Sequence, residues 1–273
     1  MKIPFYKMSG SGNDFILIDN RDGVYDGFKT PAFVSAVCAR GVAIGADGLI
    51  FIEKADNCDY KWCFYNSDGS DAEMCGNGAR CAARFAVLNK IAGENHCFET
   101  TAGVIRAEVK GAVVKIRLSE PADLKTDIRL AVDKTTLNLS SINTGVPHVI
   151  VPVADIDSAP VKSLGRKIRF HEAFQPAGTN VNFVATDPDG MVHVRTYERG
   201  VEDETLACGT GAVAAALVTA ALGETVSPVR VRTRSNEVLT VYVEDAQPPF
   251  KTVFLEGAAR VVYTGDIWEE AYK

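Results

Sequence analysis

The chain has 273 residues, 47% hydrophobic and 23% charged, with a formal net charge of −6. That length is enough for two modest cores, and an acidic chain without a basic run or aromatic-basic interleaving excludes a nucleic-acid surface. No stretch approaches a membrane span and Met1 to Tyr6 lacks a signal-peptide core, so no membrane partner and a cytoplasmic location are expected.

Along the chain, Phe5 to Met8 leads into the turn Ser9 to Asp14 and then the apolar strand Phe15 to Ile18. Residues 31–40 read as a helix with Pro31 at its start. Gly45 to Gly48 is a turn ahead of the strand Leu49 to Ile52. The next strand, Tyr60 to Tyr65, ends in the turn Asn66 to Ser70, which delivers the chain to Cys75. A helix from Arg80 to Asn89 follows, then strands at Cys97 to Thr101, Val104 to Val109 and Val113 to Leu118. Pro121 to Asp127 is the best domain boundary. The second half has strands near Ser141 to Asn143, His148 to Val153, Val181 to Ala185 and Met191 to Tyr197. Residues 158–176 are ambiguous, with room for a short helix. After a long helix come strands at Val229 to Thr233, Val238 to Val243 and Val253 to Leu255, and Gly257 to Trp268 is expected to return to the first half.

The long helix follows Leu206-Ala207-Cys208-Gly209-Thr210-Gly211-Ala212, and Val213 to Leu222 carries no charge. A helix apolar on every face has to be enclosed by protein. Its first turn, opened by Gly209 and Gly211, leaves backbone N–H groups bare beside Cys208, where the helix dipole favours a thiolate and the same donors can hold a carboxylate. Met74-Cys75-Gly76-Asn77-Gly78-Ala79 is a twin of this stretch, 133 positions earlier. The same offset aligns Gly12 with Gly145, Phe15 to Ile18 with His148 to Val151, Asp47 with Asn180, and Tyr65-Asn66 with Glu198-Arg199. A match at one offset over about sixty residues is the signature of a duplication. The expected fold is α+β: two pseudo-symmetric domains, residues 1–122 and 123–256, each a curled, mostly antiparallel sheet around a central helix, with the tail 257–273 packing on the first.

Seven cysteines, an odd number, fit reduced thiols better than a disulfide framework, and Cys58, Cys63, Cys75 and Cys81 are not spaced as a structural zinc site, so no metal is expected. A lone buried cysteine is usually a small hydrophobe. Two at equivalent points of a repeat, each at the start of a glycine-opened helix, point to chemistry, and a dithiol redox pair normally comes as a short local motif instead. Two similar halves would set the sulfurs on opposite faces of a substrate, one removing a proton and the other returning one, which inverts a stereocentre. An amino acid's Cα–H is a weak acid, so its carboxylate must be held by dipoles that strengthen as charge spreads onto it, and the N–H groups of Gly76, Asn77, Gly209 and Thr210 are suited to this. No pyridoxal cofactor is then required, and no cofactor of any kind is expected.

Gly10 to Asp19, Gly45 to Ile52, Asn66 to Ala83 and Tyr197 to Ala212 together resemble diaminopimelate epimerase, over nearly the whole chain. Either cysteine motif alone would also admit the related proline racemases. The resemblance implies cofactor-independent epimerisation of LL- to meso-diaminopimelate, supplying lysine and cell-wall precursors, in a homodimer. It further implies Cys75 and Cys208 as the acid/base residues, Asn13, Asn66, Asn180 and Arg199 as polar substrate contacts, and Glu198 with His148 as the pair that tunes the thiols. The bland alternatives are a surface ion pair for Glu198-Arg199 and a packing role for His148. This chain departs from the family pattern at Val146, where many members have Asn before Pro-His, at Gly48, where many have Gln, and in a longer segment Gly200 to Glu204. Those departures keep a second reading open, a racemase of another amino acid on the same fold.

Overall fold

Runs of β-branched and aromatic residues between glycine-bearing turns form seventeen described strands, and segments rich in small residues form the two central helices. The structure is a computed structural model describing residues 2–245 and 247–273. In chain order the elements are β1 (Ile3–Gly10), β2 (Asn13–Asp19), α1 (Pro31–Cys38), β3 (Gly48–Glu53), β4 (Tyr60–Asn66), α2 (Gly76–Leu88), β5 (Asn95–Thr100), β6 (Gly103–Lys110) and β7 (Val113–Arg117). They continue as β8 (Ala122–Val132), β9 (Thr135–Asn143), β10 (Pro147–Pro152), α3 (Val161–Arg169), β11 (Asn180–Thr186), β12 (Val192–Glu198), β13 (Asp203–Thr205), α4 (Gly209–Ala221), β14 (Val229–Arg232), β15 (Val238–Val243), β16 (Val253–Ala258) and β17 (Arg260–Ile267). The chain separates into two compact units, Met1–Ile116 with Gly257–Lys273, and Arg117–Glu256.

In the first unit the strands neighbour one another in the order β17, β1, β2, β3, β4, β5, β6, β7; the β2–β3 and β4–β5 pairs are parallel and the others antiparallel. In the second the order is β8, β9, β10, β11, β12, β14, β15, β16, with β10–β11 and β12–β14 parallel, and β13 pairs with the end of β12. The alternation of parallel and antiparallel pairs is the same in both. α2 and α4 each have 13 residues and start and end at the same offset as Cys75 and Cys208. The offset does not hold in the preceding ladder: Gly48 pairs with Asn66, whereas Val181 pairs with Tyr197, a displacement of two residues.

Each unit packs helices on both faces of its sheet. α2 lies on β1, β2, β3 and β6, burying the large Phe85 and the small Ala79, Ala82, Ala83 and Ala86, which let the sheet close around it. α1 covers the opposite face with Phe33, Val34 and Val37 against Ile16, Ile18, Leu49 and Phe51. In the second unit α4 lies on β9 to β12, β14 and β15, and ten of its thirteen residues are buried. α3 closes the other face, with Val161 and Ile168 packed among Val149, Val151, Val181, Phe183 and Tyr197. Burial on both faces leaves His148 to Val151 of β10 and the first part of β11 continuously buried, without the alternation of a half-exposed strand.

Two expectations are revised and one ambiguity is resolved. α2 begins at Gly76, four residues earlier than Arg80, because glycines are tolerated in a first turn that tertiary packing covers. Residues 158–176 contain the regular helix α3, whose basic last turn suits its dipole. Pro121 to Asp127 is no linker: β8 runs through it, and Asp123 and Asp127 take left-handed backbone where the β8–β9 register shifts. Turn-type residues here make bulges within a strand, and the division between units falls ahead of them, after Ile116.

The enclosure of α4 is testable by truncation. Leu217 is fully buried, so Leu217→Ala should lower the unfolding free energy by about 2–5 kcal/mol in urea. Val262→Ala, on an exposed position of β17, should change it by less than about 0.5 kcal/mol.

Candidate active site

Cys75 is the N-cap of α2 and Cys208 the N-cap of α4, both with extended backbone. Their carbonyls accept the first intrahelical bonds, from Ala79 N–H (2.8 Å) and Ala212 N–H (2.9 Å). Each side chain therefore sits where the first N–H groups of a helix lack intrahelical partners, the position that stabilises a thiolate. Cys208 is 7% exposed and Cys75 is half-buried. Gly76 and Gly209 are the first helical residues, and Thr210 Oγ1 lies 3.5 Å from the Cys208 sulfur.

In the first unit a relay of polar groups runs beneath the start of α2. The Asp47 carboxylate accepts from Asn13 Nδ2 (2.9 Å), Asn13 Oδ1 accepts from Asn77 Nδ2 (2.7 Å), and Asn77 Oδ1 accepts from the Arg80 guanidinium (2.8 Å). A carboxylate at one end and a guanidinium at the other leave only one orientation for each amide. Arg80 is wholly buried and also donates to Ser11 Oγ (2.8 Å) and the Gly76 carbonyl (3.2 Å). Asp47 is fixed in turn by Asp14 N–H (3.1 Å) and Arg40 (2.8 Å). Burial pushes the Asp14 carboxyl up, but its bonds to Arg40 and Lys7 outweigh this and hold it below the ordinary carboxylate range. Asn66 stands apart from this relay: it is exposed and donates to Ser70 Oγ (3.0 Å) within its own turn.

In the second unit His148, Asn182 and Thr196 share the sheet face on which α4 begins. Asn182, fully buried, donates from Nδ2 to His148 Nδ1 (3.1 Å) and to the Val149 carbonyl (3.0 Å), and its Oδ1 accepts from Thr196 Oγ1 (2.9 Å). A Cβ at Gly211 would come 2.4 Å from Asn182 Oδ1 and 3.3 Å from the Cys208 sulfur, so only glycine lets the first turn of α4 close on this amide. Asn180 donates to the Pro147 carbonyl (3.1 Å) and accepts from Arg199 N–H (2.8 Å). The Arg199 guanidinium donates to the Ala177 carbonyl (3.0 Å), and Glu198 Oε2 accepts from Thr205 Oγ1 (2.8 Å). The structure thus joins Asn13 to Asn77 and Asn180 to Arg199.

Sequence reasoning did not single out Arg80, Ser11, Asp47, Asn182 or Thr196. Asp47 was within reach, since the repeat aligns it with Asn180. Nothing local marks a buried arginine or a strand asparagine as part of a network. The Gly48 departure has a geometric cause: a Cβ there would meet the Tyr65 carbonyl at 2.6 Å and the Phe64 ring at 2.7 Å, so β3 and β4 are too close for a side chain. Val146 is half-buried, and its carbonyl accepts from Thr144 N–H (3.2 Å). Among the described residues no cluster of His, Cys, Asp and Glu has the arrangement to hold a metal, and no helix is long and apolar enough to cross a membrane.

Residues 5–120 and 140–262 match the family described as diaminopimelate epimerase. A protein of Aquifex aeolicus (strain VF5) named diaminopimelate epimerase is 51% identical over 97% of this chain and 98% of its own length. The fold is shared with a phenazine biosynthesis protein of the PhzF family from Bacillus anthracis, at a TM-score of 0.71 and 16% identity over 98% of this chain and 99% of that one. A probable proline racemase from Agrobacterium radiobacter K84 superposes equally well, at a TM-score of 0.71 and 14% identity over 98% and 93% of the two chains.

Burial first, and the Arg199 charge second, push His148 from its ordinary 6.5 down to about 3. The unfolded chain then takes up this proton before the folded one does. Stability is intact above about pH 6.5 and is lost as pH falls towards the folded value, by roughly 1.4 kcal/mol per unit. Between pH 7 and pH 5 the protein should lose about 2 kcal/mol through this group. Denaturant titrations of His148→Gln, which cannot titrate, should lack that part of the slope; equal slopes would mean that His148 titrates normally.

Proposed function

This chain belongs to the diaminopimelate epimerase family, an isomerase family, and on that premise we propose that it interconverts LL- and meso-diaminopimelate by proton transfer between two cysteines, with no cofactor. The observation that carries this reading is the pair of cysteines, each the N-cap of a 13-residue helix opened by glycine. One sulfur enters the cycle as thiolate and the other as thiol. The thiolate takes the Cα proton, and the thiol delivers its own to the opposite face of the planar carbanion. The roles of the sulfurs are then exchanged, with no net gain or loss of protons.

Negative charge spreads onto the substrate carboxylate as the Cα–H bond breaks. Main-chain N–H groups of Gly76, Asn77, Gly209 and Thr210 at the two helix starts suit that charge, because they are fixed before the reaction and stabilise it most when it is largest. Asn13, Asn66, Asn180 and Arg199 are assigned to substrate recognition. Arg199, with a planar fork of donors, fits the carboxylate of the non-reacting stereocentre. Glu198 and His148 are assigned to setting the protonation of the thiols. The same reading places the protein in the cytoplasm as a homodimer that supplies lysine and cell-wall precursors.

Assay with LL-diaminopimelate and a panel of free amino acids in deuterated water tests the proposal. Turnover should require the second amino-carboxylate end; preference for an amino acid lacking it would favour a racemase. Cys75→Ala and Cys208→Ala should each lower kcat by about 10²–10⁴-fold or more, since each face of the carbanion needs its own proton carrier. Full activity in either variant would sink the two-thiol mechanism. Arg199→Lys keeps the charge and loses the fork, so both kcat and affinity for diaminopimelate should fall; normal kinetics would remove Arg199 from recognition.

A further inference from the structure

Cys58 and Cys97 belong to neither helix start, and both are half-buried free thiols in the first unit. The backbone around them is fixed from both sides. Asp59 N–H donates to the Cys97 carbonyl (3.1 Å), and Cys97 N–H donates back to the Asp59 carboxylate (3.0 Å). The next residues, Tyr60 and Phe98, are register partners at the start of the parallel β4–β5 ladder, and their rings stack with centroids 4.9 Å apart and planes 5° from parallel. On this clamped backbone the Cys58 and Cys97 side chains face each other, with a hydrogen bond between their sulfurs. Cysteines whose side chains point apart cannot be bridged without moving the backbone; these two meet that condition already.

We infer that Cys58 and Cys97 form a dithiol site, other than the helix-start cysteines, which closes to a reversible disulfide on meeting a small-molecule disulfide such as oxidised glutathione. Burial first, and the Cys97 sulfur second, push the Cys58 thiol up to about 12, so Cys58 keeps its proton at neutral pH and attack falls to Cys97. The Cys97 thiolate breaks the S–S bond of the reagent, forms a mixed disulfide and releases one glutathione thiolate. Cys97 then carries no charge, and its share of the shift on Cys58 is gone. Cys58 gives up its proton, attacks the Cys97 sulfur and expels the second glutathione thiolate. Two cysteine thiols are oxidised and one glutathione disulfide is reduced to two thiols, with both protons passing from the cysteines to glutathione. The bridge spans β4 and α2, with Cys75 inside the closed loop, and it reinforces a β4–β5 ladder only two residue pairs long. Closing that loop restricts the unfolded chain more than the folded one, so the oxidised protein is the more stable form.

The test is a peptide map. Trypsin cleaves after Lys54, Lys61, Lys90 and Arg106, which puts Cys58 and Cys97 in separate peptides, 55–61 and 91–106, each with no other cysteine. After wild-type protein is incubated with oxidised glutathione and its free thiols are blocked before unfolding, mass spectrometry should find these two peptides joined, and dithiothreitol should part them. The melting temperature of the oxidised protein should fall by about 5 °C or more on reduction, and the double variant Cys58→Ser/Cys97→Ser should lack that fall. Cys58→Ser should stop at the mixed disulfide, with one glutathione on Cys97, whereas Cys97→Ser should leave Cys58 unmodified. Peptides that stay separate in the oxidised wild type overturn the site, and glutathione on Cys58 in Cys97→Ser overturns the order of attack. An equal fall in the double variant overturns the stabilising role of the bridge. The wild-type map needs no variant to fold, and none of these measurements depends on whether the chain turns over diaminopimelate.

Discussion

A helix without charged side chains is stable in water only when protein encloses it, and α4 imposes that condition on the second unit. Its alanines and glycines let the strands approach closely, and the sheet residues beside it include the apolar Ile150 and Val184. At the helix start His148, Asn182 and Thr196 lie on the sheet beside bare N–H groups. The packing that buries the helix therefore also buries Cys208 at its N-cap, beside the positive end of the helix dipole.

The two units reach this geometry with different polar chemistry. Beneath α2 the network begins at a carboxylate and ends at a buried guanidinium, so the Cys75 side is built from charged groups. Beneath α4 it begins at a backbone carbonyl and ends at a neutral imidazole. Buried polar groups left unsatisfied cost about 1–3 kcal/mol each, which is why both networks are nearly closed.

Glycine does its work at the points of closest approach. Gly211 lets α4 settle on Asn182, and Gly48 lets β3 and β4 come together where a side chain would force them apart. The first brings a scaffold amide to the cysteine; the second removes a side chain from the neighbourhood of Asn66, which pairs with Gly48.

By itself the sequence determined the duplication, the α+β class, the two glycine-opened helices and the cysteines at their starts, because these follow from period, composition and local backbone preference. It also made the family legible, since the motifs around Cys75 and Cys208 are contiguous. Only the tertiary structure decided that Asn182 meets His148, that Arg80 closes the relay from Asp47, that β8 runs through the expected boundary, and that the β11–β12 ladder is displaced by two residues. Those facts join residues on different strands and helices, and hydrogen bonds between such partners depend on register and packing, which leave no mark in any single stretch of chain.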